Sequence, residues 1–336
     1  MGGESLIFWF TLLILAVILI SGWSDAAGAV TPCVSVRSLP RENAIRLAAI
    51  STFCGSIIMT LINPAIAKTF YLAADFGDDP DRALTALCAA LCAAVLWSGA
   101  TRALGFPTSE THALISGMGG AALAAKGDLS AVHAGEWLRI LLGFALSVLA
   151  PLLLSFLFTR ILRAILAKRN RRRALSRFQK AQRTSACWNA AMTGAQDCQK
   201  FMGVYLLGLS LYGAEVTVSR FSSIPLSVLF LCAIVMAMGT MLGSAHVIKK
   251  VGRDMVTLDA PDYSAAGAAS TAVMTLCTAL GLPASITQIR ASAFVGAGMS
   301  QKRGVKLRVA LQILVAWLLT FPVCALLGFL LGHLAI

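Results

Sequence analysis

Gly105-Phe-Pro107-Thr-Ser109-Glu-Thr111-His112 returns later in the chain as Gly281-Leu-Pro283-Ala-Ser285-Ile-Thr287-Gln288. Both copies interrupt strongly apolar sequence with a glycine, a proline and two hydroxyls at the same spacing. Glycine and proline break a lipid-facing helix, and every backbone group freed in hydrocarbon then needs a new partner. A membrane-embedded segment broken twice in the same way points to half of a binding site built by an internal repeat.

The repeat extends beyond these eight residues. With Pro107 set against Pro283, Ser116 falls on Ser292 and Gly120 on Gly296 without a gap. Upstream, Gly22-Trp-Ser-Asp25 pairs with Gly194-Ala-Gln-Asp197. Asp25 precedes Pro107 by 82 residues, and Asp197 precedes Pro283 by 86. Two unrelated motifs in the same order at nearly the same spacing argue for duplication more strongly than either alone.

Of the 336 residues, 58% are hydrophobic and only 13% charged, and mean hydropathy is +0.79. Soluble domains carry about 25% charged residues, so the chain reads as an all-α polytopic membrane protein. Apolar stretches fall at 5–22, 43–67, 84–100, 109–125 and 137–165, then at 186–213, 224–246, 264–280, 285–300 and 307–333. An odd number per half forces the second half in upside down. The expected fold is therefore an inverted-topology repeat of five hydrophobic segments per half. Residues 1–165 form the first transmembrane repeat, 166–185 a basic cytoplasmic loop, and 186–336 the second, inverted repeat. Segments 84–125 and 264–300 read as one helical hairpin in each half. Their arms of about 17 residues are near the lower limit for spanning roughly 30 Å of hydrocarbon. They are either re-entrant or fully spanning. The re-entrant form is favoured because it brings both polar turns to one substrate.

The net charge of +13 would suggest nucleic acid in a soluble protein. Here ten of the 28 Lys and Arg lie between Arg160 and Arg183, with no acid among them. Beside apolar spans such a cluster is first a topology signal, fixing that side as cytoplasmic. Arg37, Arg41, Arg102, Lys249, Lys250, Arg253, Lys302, Arg303 and Lys306 fall in connections predicted on the same side. The 68–83 loop opposite sets Asp75, Asp78, Asp79 and Asp81 against Lys68 and Arg82, and the 214–223 loop carries Glu215 and Arg220. Both termini then lie outside a bacterial inner membrane, with the lipid bilayer as partner and no nucleic acid. The nine cysteines form no Cys-x-x-Cys and read as small packing residues. The run from Leu6 to Ile20 follows Glu4 rather than a basic region and reads as a retained helix.

Asp25 and Asp197 carry the first chemistry. A carboxylate in or near hydrocarbon costs several kcal/mol unless paired or hydrated. The Gly-x-x-Asp context suggests local unwinding, with a coupling cation or proton at the carboxylate, although Asp25 could also be an ordinary helix cap. Ser109 and Ser285 open helices after the prolines. A helix start offers free N–H groups and the positive end of the dipole, which suit an oxyanion. The hydroxyls of Ser109, Thr111, Ser285 and Thr287 add neutral donors, and simple N-capping is the alternative for each copy. His112 reads as an anion donor, a proton carrier or a satisfied helix-start histidine, with Gln288 in its place in the second copy. Lys200, three residues after Asp197, either neutralises that carboxylate or offers a fixed charge to an anion. His133 and His333 read as solvated, and His246 as part of a basic interfacial face. No hydrolase, metalloprotease or nucleotide-binding motif occurs, so neither an enzyme nor a cofactor is expected.

These residues resemble those of the inorganic phosphate transporter (PiT) family. That family has a Gly-Ala-Asn-Asp-type motif near the start of each half and a Gly-x-Pro-x-Ser-x-Thr-His-type motif later. Val247–Leu258 is also similar to the segment before the family's second hairpin. The resemblance implies symport of inorganic phosphate with sodium or protons by a homo-oligomer. Asp25 and Asp197, with Gln196, would hold the coupling ion (sodium being the metal implied), and Ser109, Thr111, His112, Ser285, Thr287, Gln288 and Lys200 the anion. Where the family has asparagines around each Asp, this chain has Ser24, Gly28, Gln196 and Lys200. That departure puts sodium in question. Sulfate or another oxyanion on the same fold is the alternative cargo, and a channel or sensor a further one.

Overall fold

The computed structural model describes residues 3–26, 28–35, 38–103, 108–167, 171–214, 224–242, 258–301 and 307–336. Gly105–Pro107, Arg37, Glu215, Arg220, His246, Lys249, Lys250, Arg253, Lys302, Arg303, Lys306 and nearly all of Val247–Leu258 lie outside the described residues.

The described residues are almost all helical. The helices are α1 (Gly3–Ser21), α2 (Thr31–Ser35), α3 (Arg41–Ile62), α4 (Ala65–Leu72), α5 (Pro80–Ala103), α6 (Glu110–Lys126), α7 (Ala134–Ala167), α8 (Arg171–Leu211), α9 (Leu226–Met241), α10 (Ala260–Ala279), α11 (Ile286–Ser300) and α12 (Leu307–Ala335). Among the described residues, extended pairing is limited to an isolated bridge between Ala74 and Val132. Among the described residues every predicted apolar stretch is helical, and five helices are long and apolar enough to cross a membrane. Their outer faces carry bare large apolar side chains, such as Leu149, Leu153 and Leu157 on α7 and Leu314 and Leu318 on α12. In water this would be a severe liability; in lipid it is the solvent-facing surface. Phe10, Ile14, Ile18, Phe70, Leu84, Leu87, Leu114, Met118, Met202 and Met236 close the largest core cluster.

Several details depart from expectation. The 43–67 stretch breaks at Asn63-Pro64 into α3 and α4, because proline cannot continue the hydrogen-bond ladder. The backbone around Asp25 does loosen, into a π turn over Gly22–Ala26, but Asp197 lies within continuous α8. Gly194 serves packing there: a Cβ on it would sit 2.3 Å from the Thr52 carbonyl on α3. The basic segment is helical from Arg171 onward, since Arg, Lys, Gln and Ala are good helix formers. The hairpin arms are unequal. The first arm, α5, has 24 residues, enough by length and composition to cross a membrane, whereas α11 has 15.

The helices pack reciprocally. α1 meets α9 while α8 meets α3; α5 and α6 meet α12 while α10 and α11 meet α7. Matched glycines show the same exchange at atomic scale. A Cβ on Gly120 would meet the Ala325 carbonyl on α12, and one on Gly296 the Leu152 carbonyl on α7.

Candidate functional site

The hairpin ends meet in the buried centre. Ser109, at the start of α6, and Ser285, at the start of α11, touch through their hydroxyls, with Ser285 Oγ donating to Ser109 Oγ at 2.8 Å. The two ends are not equivalent. Ser109 also caps its helix, accepting the His112 N–H at 3.3 Å, so the capping reading holds for this copy. Ser285 makes no side-chain cap; its hydroxyl turns to Ser109 and to Thr287 Oγ1, 3.3 Å away. Its backbone N–H donates to Ser147 Oγ on α7 at 3.0 Å, and a Cβ at Gly143 on α7 would overlap the Pro283 carbonyl. The second hairpin tip thus docks against the interior of a 34-residue helix, not at a bundle surface.

Lys200 ties the two ends to α8. Its side chain is only 1% exposed, a burial tolerated only when the ammonium is fully partnered. Its three bonds run to Thr111 Oγ1 at 2.9 Å, Asp197 Oδ1 at 3.0 Å and the Ala284 carbonyl at 2.7 Å. Ser109, Ser285 and Thr287 thus form one hydrogen-bonded group and Thr111, Asp197 and Lys200 another, adjacent through the Ala284–Ser285 backbone and drawn from both halves. Among the described residues, Asp197 Oδ2 and Gln288 Oε1 are buried with no hydrogen-bond partner.

Two predicted residues have other work. Gln196 spends its whole amide on the second hairpin: Nε2 donates to Thr278 Oγ1 at 3.1 Å and the Leu282 carbonyl at 3.3 Å. Its Oε1 accepts from the Ala284 N–H at 3.0 Å. It positions the tip that carries Ser285. The His112 ring lies between Phe144 and Phe321, at 3.9 and 4.6 Å between centroids. Among the described residues neither ring nitrogen meets strict hydrogen-bond geometry, but the Trp317 backbone lies within hydrogen-bonding reach of the ring and Lys200 acts on it electrostatically. His133 and His333 are exposed as expected; His133 also contacts the Leu72 carbonyl.

Two charged residues escaped the sequence reading. Glu110 Oε1 accepts from Ser24 Oγ at 2.7 Å, joining the π turn to α6. Arg290, on α11, is almost fully buried. It donates to the Asp25 carbonyl, to Asn189 Oδ1 at 3.1 Å and to Thr193 Oγ1 at 2.8 Å. Both Asp25 and Asp197 act on it electrostatically. A small, partly open cleft of about 20 Å³, lined by Gly28, Gln182, Ser185, Asn189 and Tyr263 among others, reaches it. The signal was available: Arg290 is a lone charge between Ile289 and Ala291, and such residues in a membrane helix are seldom incidental.

An all-helical integral membrane protein with two hydroxylated helix starts converging in its interior has the geometry of a carrier for a small anion. The comparisons define the family. Residues 21–328 match the Phosphate transporter family, and the chain belongs to it; this is a family of transporters, not of enzymes. A probable low-affinity inorganic phosphate transporter of Bacillus subtilis is 30% identical over 318 residues, covering 94% of this chain and 92% of the relative. A protein of the same description from Mycobacterium tuberculosis is 32% identical over 330 residues, covering 95% and 76%. Among solved structures, one described as the sodium-dependent phosphate transporter shares the fold, with a TM-score of 0.84, 20% identity and 98% of both chains covered.

Proposed function

We propose that this chain carries inorganic phosphate across the membrane by symport with a cation. The observation that carries the reading is the contact between Ser109 and Ser285, which brings two helix starts and their hydroxyls to one point. Free N–H groups and neutral hydroxyls hold an oxyanion while still letting it leave. Phosphate suits the site better than sulfate. The buried acceptors Asp197 Oδ2 and Gln288 Oε1 call for a donor, and phosphate at neutral pH retains a proton to give whereas sulfate does not. The matching relatives named as phosphate transporters support the same cargo.

The carrier works as two inverted repeats, 1–165 and 186–336, joined through the basic segment 166–185. Reciprocal packing supports this, since the main contacts of the first half with the second, α1 with α9 and α5 and α6 with α12, recur with the halves exchanged, as a two-fold relation requires. The Arg160–Arg183 cluster argues for a cytoplasmic position of the joining segment and outside termini. Uptake of radiolabelled phosphate into proteoliposomes, with sulfate as competitor, tests the reading in the wild type and in Asp197→Asn. Saturable uptake that sulfate leaves unaffected and the substitution abolishes is expected. Equal competition by sulfate makes the cargo a broader oxyanion class, and no uptake of either anion sinks the assignment.

A further inference from the structure

We propose that Lys200 and Arg290 are tethered cations filling the two positions where a dissociable alkali cation would otherwise bind, so that phosphate transport by this chain needs no sodium. The inference rests on the phosphate-transport reading and deepens it by naming what neutralises the site.

The partners of each side chain carry the argument. Lys200 Nζ is held by a carboxylate, a hydroxyl and a backbone carbonyl: Asp197 Oδ1, Thr111 Oγ1 and Ala284 O, at 2.7–3.0 Å. Arg290 is held by the Asp25 carbonyl, the Asn189 amide oxygen and the Thr193 hydroxyl. Converging carboxylate, carbonyl, amide and hydroxyl oxygens are the ligands hard cations take. Both sets draw on several elements around the two repeated aspartates, and both are occupied by side-chain charge.

The repeat explains the two routes. The position three residues after Asp197 is Lys200, so the second half supplies its cation from the same helix. The position three residues after Asp25 is Gly28. A Cβ there would lie 2.6 Å from Arg290 Nη1, so glycine lets the guanidinium arriving from α11 sit where it does, and a side chain would push it aside. The first half thus receives its cation from the second. With both buried positions cationic, a free sodium ion beside either meets like-charge repulsion at low dielectric and a depleted set of ligands.

The test has a transport arm and a binding arm. In proteoliposomes, replacing sodium by choline should change the initial rate of phosphate uptake by less than twofold. In detergent, sodium chloride should leave the Tm of the wild type where choline chloride leaves it. Lys200→Asn and Arg290→Gln free the oxygen ligands and should each become stabilised by sodium over choline, because a ligand that binds only the folded state raises its stability. A tenfold or greater loss of wild-type uptake without sodium overturns the inference. So does sodium stabilisation of the wild type, or its absence in every variant that folds. If no phosphate moves in either salt, the transport reading fails, and the Tm comparison still decides whether these side chains stand in for sodium.

Discussion

Ser109 and Ser285 lie 176 residues apart in sequence and 2.8 Å apart through their hydroxyls. Nothing about one serine specifies the other; the contact exists because the starts of α6 and α11 meet beside α7 and α8. The serines also differ in what they do for their own helices, and this separates stability from binding. Ser285→Ala removes a hydroxyl that caps nothing and that, on the proposed reading, faces the anion, so it should raise the KM for phosphate by roughly tenfold or more, given about 1.5–3 kcal/mol for a hydrogen bond to a charged group. Ser109→Ala should raise KM similarly and also lose a cap contributing about 1 kcal/mol. Thermal unfolding beside uptake kinetics distinguishes the two; equal Tm losses would contradict the asymmetry.

Arg163 and Asp262 bind the end of α7 to the start of α10. Arg163 Nε and Nη2 reach the two Asp262 oxygens at 2.8 and 2.7 Å, and Nη2 also reaches Asp259 at 3.2 Å. Asp262 is fully buried and completes the capping box of α10 with Asp259. Arg163→Gln leaves that carboxylate buried without its cation and should cost about 3 kcal/mol. Asp259→Asn, at an exposed carboxylate, should cost roughly 1 kcal/mol. Denaturation in detergent that ranks the two substitutions the other way would refute this account.

The sequence reading went far on the frame and less far on the chemistry. Apolar stretches between charge clusters marked every long helix, because hydrocarbon leaves few ways to be apolar for twenty residues. The paired Gly-x-Pro segments identified the elements that meet at the centre. The break at Asn63-Pro64 was hidden in unbroken hydrophobicity, although the proline was its signal. Arg290 was missed because attention followed matched positions, and its counterpart by the repeat is Leu114. Gln196 looked like an ion ligand from its place beside Asp197. Its true partners, Thr278, Leu282 and Ala284, become neighbours only once the second hairpin docks, and no local pattern encodes that docking.

Asp75 and Lys126 tie the loop after α4 to the end of α6. The Lys126 ammonium and the Gly77 N–H hold the Asp75 carboxyl below its usual range, and Asp75 in turn raises Lys126. A lowered carboxylate contributes stability above its unfolded value of about 3.9, lost as pH falls through the lower folded value. A raised lysine contributes below about 10.4, lost as pH rises through the higher folded value. The pair therefore acts across the neutral range. Asp75→Asn should lower Tm slightly at pH 7, by a margin that shrinks as acid protonates the Asp75 carboxyl. A Tm difference that persists undiminished in acid would show that hydrogen bonding, not charge, holds the loop.

Lys200 and Asp197 form the buried pair on which the centre depends, at 3.0 Å and with side chains 1% and 5% exposed. Breaking such a pair from one side leaves an uncompensated buried charge, at about 3–5 kcal/mol, whereas removing both charges is often nearly neutral. Lys200→Met should therefore destabilise strongly, and Asp197→Asn with Lys200→Met should recover most of the loss. Transport should not recover with it, because the double variant also lacks the ammonium that links Thr111 to Ala284. A double-mutant cycle read by thermal unfolding and by phosphate uptake separates the two roles. Uptake returning along with stability would mean that the pair only holds the helices together and leaves the substrate to the hydroxyls.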